Sequence, residues 1–102
     1  MHHGEFKTPG GKLVAVDFDV RNGEFAGVLV HGDFFLYPDD AFEDLAAALE
    51  GAPVGEPDDV VAERIRTRLR TGAELLGTSP EGIATAVARA LAAGPVNDGG
   101  RS

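Results

Sequence analysis

The sequence contains no cysteine and no tryptophan, and only one methionine and one tyrosine among 102 residues. Without cysteine, disulfides, thiolate metal sites and cysteine nucleophiles are excluded. Positive charge is also scarce. Nine Lys and Arg stand against seventeen Asp and Glu, and the net charge of −8 argues against a general affinity for nucleic acid or anionic membranes. No apolar run approaches the roughly 20 residues of a membrane helix, and no secretory leader is visible, so a cytoplasmic location is expected. The remainder is ordinary for a globular chain, with 43% hydrophobic and 25% charged residues. A single domain of this length buries roughly two thirds of its unfolded surface and folds without a covalent staple.

Charge and composition both shift along the chain. Residues 1–60 hold thirteen acidic and three basic side chains, residues 61–102 four and six. Val, Phe and Gly crowd the front, whereas Ala, Leu and Arg dominate the back. This predicts an α+β fold, an antiparallel sheet led by a β-hairpin over about 12–37 with about three helices packed on one face. Residues 1–95 are expected to form the domain and 96–102, small and polar, a disordered tail.

The hairpin is the strongest local signal. Val14, Val16, Phe18 and Val20 alternate with Leu13, Ala15, Asp17 and Asp19, and Asn22-Gly23 supplies the positive φ angles of a two-residue type I′ turn. That turn pairs Arg21 with Glu24 and, carried down the ribbon, Val20 with Phe25, Phe18 with Gly27, Val16 with Leu29 and Val14 with His31. Asp33–Tyr37 reads as a third strand covered on both sides, with Phe34 and Phe35 in the core. A first helix is predicted over Asp39–Glu50, with Phe42, Leu45, Ala46 and Leu49 on one stripe and Gly51 as its stop. A second starts at an Asp58 or Asp59 cap and buries Val61, Ile65 and Leu69, with Ala62 and Ala73 beside them. A third starts at a Ser79 cap followed by Pro80, buries Ile83, Val87 and Leu91, and ends at Gly94-Pro95.

Candidate chemistry is sparse. His31 reads as a hydrogen-bonded histidine at the rim of the core rather than as a general base, and as the sole histidine within the fold. His2 and His3 sit near a terminus with no third ligand at a usable spacing, so no metal site is expected. Asp39, Asp40, Glu43 and Asp44 read as first-turn acids that oppose a helix dipole. Thr8-Pro9-Gly10-Gly11-Lys12 lacks P-loop spacing and reads as a lead-in turn. Its glycines nonetheless permit close approach of a ligand, and Lys12 can meet a phosphate or carboxylate. Arg64, Arg66, Arg68 and Arg70 fall four apart in pairs on the second helix. They read as a solvated face answering the chain's own acids, with a docking patch centred on Arg64 and Arg68 as the alternative.

Two segments carry a family resemblance: His3-Gly4-Glu5-Phe6-Lys7-Thr8-Pro9-Gly10-Gly11-Lys12-Leu13-Val14 and Gly32-Asp33-Phe34-Phe35-Leu36-Tyr37-Pro38. Flanking an Asn-Gly hairpin, they resemble the accessory, carboxy-terminal domain of bacterial and archaeal lipoate–protein ligases. Glu50-Gly51 and the helix start Ser79-Pro80-Glu81-Gly82-Ile83-Ala84 also match, and the likeness covers residues 3–93. The resemblance implies a subunit that is inactive alone. It would bind a separate catalytic domain and enable that domain's ATP-dependent adenylation of lipoate, which is then transferred to lipoyl acceptor domains. ATP, lipoate and Mg would belong to the assembled ligase, with no cofactor held by this chain alone. Gly10, Gly11 and Lys12 would lie near the nucleotide, whereas Gly32, Asp33, Phe34 and Phe35 would be mainly structural. The resemblance extends to the fold of iron–sulfur scaffold and sulfur-acceptor proteins, but their cysteine-dependent roles do not carry over. The alternative is a stand-alone interaction or small-molecule-binding module that keeps the fold without ligase activity. For an isolated accessory subunit, homodimers through the vacant docking face are an expectation.

Overall fold

The computed structural model describes residues 1–95; the expected disordered tail, 96–102, lies outside them. The alternating segment forms the expected hairpin. Strands β2 (Leu13–Arg21) and β3 (Glu24–Gly32) pair antiparallel, and Asn22 and Gly23 take φ of 54° and 77° in the turn. A further strand, β1 (His2–Lys7), pairs antiparallel with β2 and gives the order β1-β2-β3. Its period-2 signal is weak because the inward positions are His2, Gly4 and Phe6. The terminal histidines therefore belong to the fold, and His31 is not its sole histidine. His2 stacks on Phe18 with ring centroids 5.3 Å apart.

The register departs from the turn-derived expectation halfway along the hairpin. Arg21↔Glu24 and Val20↔Phe25 hold, but beyond a bulge Val16 faces Val30, Ala15 faces His31 and Val14 faces Gly32. The cause is Gly27, whose φ of +62° lets one extra residue into β3. The backbone N–H groups of Gly27 and Val28 donate to the Glu50 carboxylate at 3.0 and 3.1 Å. Those two bonds hold the Glu50 carboxyl below the usual range, the one from Val28 most strongly. The one-residue slip turns Val30 into the core and leaves Leu29 outside at 57% exposure. It also moves His31 off the apolar face.

Helix α1 (Phe42–Leu49) follows a 3-10 turn at Asp39–Ala41 and ends before Gly51, at φ +80°. Residues 51–54 then run along β3, where Phe25 N–H donates to Ala52 O at 3.0 Å and Gly51 N–H to Phe25 O at 2.9 Å. Helix α2 (Asp58–Arg68) begins at Pro57 with no side-chain cap; Asp59 accepts only from the adjacent Val60 N–H, so neither aspartate is the expected cap. Helix α3 (Pro80–Ala93) starts as expected, with the Ser79 hydroxyl accepting from Gly82 N–H at 3.1 Å, and stops at Gly94, φ +77°.

The helices cover one face of the three-stranded sheet: α3 lies along β1 and β2, α1 lies against β3, and α2 touches both helices. Approach is closest at Gly4, where a Cβ would fall 2.3 Å from Ala86 O and 2.5 Å from Ala90 N. One apolar cluster joins Val14, Val16, Phe18, Phe25 and Val30 to Leu45, Leu49, Ile65, Ile83 and Val87.

The expected third hairpin strand is instead part of a second, two-stranded sheet. Strand β4 (Phe35–Tyr37) pairs antiparallel with β5 (Glu74–Leu76), a segment too short and too close to the arginine-rich helix to read from periodicity. Only one side of it is covered. Phe34 and Leu36 are buried at 4% and 3%, whereas Phe35 and Tyr37 are 68% and 69% exposed. Phe35 is thus not a core residue.

Candidate functional site

The Gly10-Gly11-Lys12 segment closes the β1–β2 connection and packs on the start of α3. Thr8-Pro9-Gly10-Gly11 is a type II turn: Gly11 N–H donates to Thr8 O at 2.8 Å, and Gly10 supplies the required positive φ, +68°, at an open apex. Lys12 N–H then donates to Gly77 O at 2.7 Å. Gly11 is pressed so closely onto that peptide that a Cβ would sit 2.4 Å from Gly77 O. The Thr8 and Thr78 hydroxyls are 2.8 Å apart, and a Cβ on Gly82 would meet both. The sequence signals the loop but not its receptor, Gly77-Thr78-Ser79, which is reached only through tertiary packing.

The loop presents Lys12 outward. Its stem lies over Gly77, where a Cβ would be 2.7 Å from Lys12 Cγ, and its ammonium has no hydrogen-bond or ion-pair partner among the described residues. One exposed ammonium on a rigid turn can stabilise a neighbouring anion but cannot enclose one. Among the described residues no group of three or more His, Asp or Glu side chains could hold a metal ion. Holding a nucleotide–Mg complex would take further groups beside Gly10, Gly11 and Lys12.

The Gly32-Asp33-Phe34-Phe35 segment divides by direction. Gly32, at φ +147°, lies against β2 so tightly that a Cβ would be 2.2 Å from Leu13 O. Asp33 N–H donates to the same Leu13 carbonyl at 3.0 Å, while its exposed carboxylate has no partner among the described residues. Phe34 packs on Phe42, ring centroids 5.5 Å apart. Phe35 faces outward beside Leu76, its cross-strand partner, and Tyr37 beside Glu74. This exposed row is the feature that the sequence did not reveal, because a run of four bulky residues has no alternation to show which side is bare.

Of Arg64, Arg66, Arg68 and Arg70, all but Arg68 answer the chain's own acids. Arg64 donates to both Glu56 oxygens, through Nη2 at 2.8 Å; Arg66 pairs with Glu63 and Glu81. Arg70, beyond the end of α2 rather than on it, donates through Nε to Asp44 at 2.9 Å and pairs with Asp40. The Arg70 contacts hold the Asp44 carboxyl below its ordinary range. Arg68 is exposed with no ion-pair partner among the described residues, so Arg64 and Arg68 do not make a joint free patch. An open groove of about 600 Å³ runs between α2 and the start of α3, lined by Asp59, Glu63, Arg64, Arg66 and Glu81, already paired in part.

A second polar group lies on the sheet face opposite the helices. His3 approaches Asp17 through Nδ1 at 2.6 Å and Glu5 through Nε2 at 2.9 Å, and His31 Nε2 reaches the other Asp17 oxygen at 2.7 Å. Only an imidazolium donates from both nitrogens, and the Glu5 and Asp17 bonds raise the His3 pKa above its ordinary 6.5. Partial burial pushes Asp17 upward, but the bonds from His31 and His3 outweigh it and leave the carboxyl below 3.8. With no nucleophile beside it, the group is an ion-pair cluster. His31 is an exposed member of it, neither a core-rim histidine nor one opposite Val14.

No family model matches the sequence, and no curated protein is similar to it at a significant level. Among solved structures, the fold is similar to a chain from Thermoplasma acidophilum, studied in a structural analysis of an archaeal lipoylation system: a bipartite lipoate protein ligase and its E2 lipoyl domain. The alignment has a TM-score of 0.65 and 23% identity, and covers 85% of this chain and 97% of that one. At that identity the likeness is one of fold. No helix among the described residues is long and apolar enough to cross a membrane.

Proposed function

We propose that this chain is the accessory subunit of a two-chain lipoate–protein ligase, docking on a separate catalytic domain and enabling ATP-dependent formation of lipoyl-adenylate. The fold likeness to a chain of the Thermoplasma lipoylation system carries the reading, because 97% of that small chain falls within 85% of this one. A whole-chain correspondence of this size speaks against a large catalytic component and is compatible with a small one. The turn geometry agrees: Gly10-Gly11 hold a rigid connection at the surface, and Lys12 offers a positive charge unneutralised among the described residues. Placed by docking at the partner's reacting phosphates, that ammonium would stabilise charge developing in the adenylation transition state. Nucleotide, lipoate and metal would be held by the partner, and lipoyl acceptor domains would be reached through it.

The test is reconstitution. A catalytic domain is assayed for lipoate-dependent pyrophosphate exchange with and without this chain, and for transfer from pre-made lipoyl-adenylate. The expected result is exchange only with both chains, and transfer without this one. Lys12→Ala is expected to slow exchange about 10-fold or more, as loss of a transition-state charge contact does, and to leave transfer intact. Exchange by the catalytic domain alone at the full rate would overturn the proposal in favour of a stand-alone module.

A further inference from the structure

The outer side of the small sheet is an uncovered apolar surface. Phe35 and Leu76 are cross-strand partners, Tyr37 is two residues from Phe35, and all three are more than half exposed, at 68%, 56% and 69%. Two aromatic rings and a leucine at these exposures present about 400 Å² of largely apolar area, comparable to the largest patch on a typical monomer. The backbone beneath it is fixed, since Phe34 and Leu36 of the same segment are core residues. Carboxylates flank the patch: Glu74 is paired opposite Tyr37, and in the sequence the exposed Asp33 lies two residues before Phe35 and the exposed Asp39 two residues after Tyr37. None of the three has an ion-pair partner among the described residues, although every arginine of 64, 66 and 70 is paired elsewhere. Lys12 is tied to the same strand end, since its stem lies on Gly77, the residue after Leu76.

An apolar centre with an unneutralised acidic rim specifies the chemistry of its partner. A second copy placed on this face would add the same three carboxylates against a single Lys12, and that excess of like charge opposes association. About 400 Å² is also only half of the roughly 800 Å² that each partner of a standard interface contributes, so the patch serves as the centre of a larger contact. We infer that Phe35, Tyr37 and Leu76 form the anchor of the docking surface for the ligase catalytic domain, through a face of that domain with an apolar centre and Lys or Arg at its rim. The inference rests on the accessory-subunit reading and adds the surface. It also gives Lys12 its place, because docking here carries the Gly10-Gly11-Lys12 turn to the edge of the interface.

The experiment is titration calorimetry of the full chain against a lipoate-ligase catalytic domain, with sedimentation of this chain alone. The variants are Phe35→Ala/Tyr37→Ala, Asp33→Lys/Glu74→Lys and, as a control on the other sheet, Leu29→Ala. Because Phe35 and Tyr37 lie outside the core, the double variant is expected to melt as the wild type does. Expected are about 30-fold or greater weakening by the aromatic pair, weakening by the charge reversals that lessens at high salt, and no change from Leu29→Ala. Wild-type binding that the aromatic variant leaves unchanged overturns the surface while the accessory reading stands. No binding by the wild type overturns both. Self-association of the wild type that the aromatic variant abolishes assigns the face to a second copy and overturns the hetero-partner.

Discussion

The two sheets of this molecule use the same strand chemistry for opposite ends. In the three-stranded sheet, Val14, Val16 and Phe18 are buried beneath helices, and the opposite face carries the His3–Asp17–His31 cluster over a buried Ala15. Around the two-stranded sheet, Phe34 and Leu36 are buried in the core, yet Phe35 and Tyr37 stand free one residue away. Neighbouring bulky residues thus divide into those that hold the fold and those available to something outside it. The lesson is that composition marks a segment as apolar, but only the pairing of its strand shows which apolar side chains the chain itself consumes.

Substitutions sharpen this contrast. Phe34→Ala removes a ring packed on Phe42 and is expected to destabilise by about 3–4 kcal/mol in denaturant unfolding. The neighbouring Phe35→Ala is expected to stay within about 0.5 kcal/mol, and comparable losses at both positions would contradict the opposite burial of the two rings. Gly4→Ala, where β1 meets the α3 backbone, is expected to cost about 2–3 kcal/mol, since neither Ala86 O nor Ala90 N can yield without moving the helix. Gly10→Ala meets no steric obstacle and loses only its left-handed backbone preference, about 1 kcal/mol. A reversed order for these two glycines in thermal melts would contradict the packing of α3 on β1.

The polar face makes a smaller, pH-dependent contribution. The raised His3 pKa stabilises the fold fully below 6.5, and this benefit is lost as pH rises through the folded value. The lowered Asp17 pKa stabilises it above 3.8 and is lost as pH falls through the folded value. The cluster is therefore strongest between these limits. His3→Gln is expected to lower the melting temperature by a few degrees at pH 5 and by less at pH 8. A difference that grows with pH would contradict the assigned charge state.

Much of the architecture is legible in the sequence because its determinants are local. Asn22-Gly23 sets a turn, Ser79-Pro80 starts α3 and Gly51 stops α1 whatever surrounds them. The misreadings arise where distant residues decide. The Gly27 bulge depends on Glu50, 23 positions away, to accept its freed amides, and without that partner the plain register is the natural expectation. Strand β1 hides behind His2 and Gly4, inward residues chosen for a ring stack and a helix contact rather than for strand propensity. Of the candidate site, Gly10 and Gly11 are visible as a turn. Their receptor at Gly77-Thr78 and the bare row beside it require β5, which three residues are too few to announce.

We propose that this chain supplies what a lipoate-ligase catalytic domain lacks. The direct measurement is lipoate-dependent pyrophosphate exchange at fixed catalytic domain while this chain is titrated in. Exchange is predicted to rise from background and level off at one chain per catalytic domain. A rate that stays flat throughout the titration would contradict it.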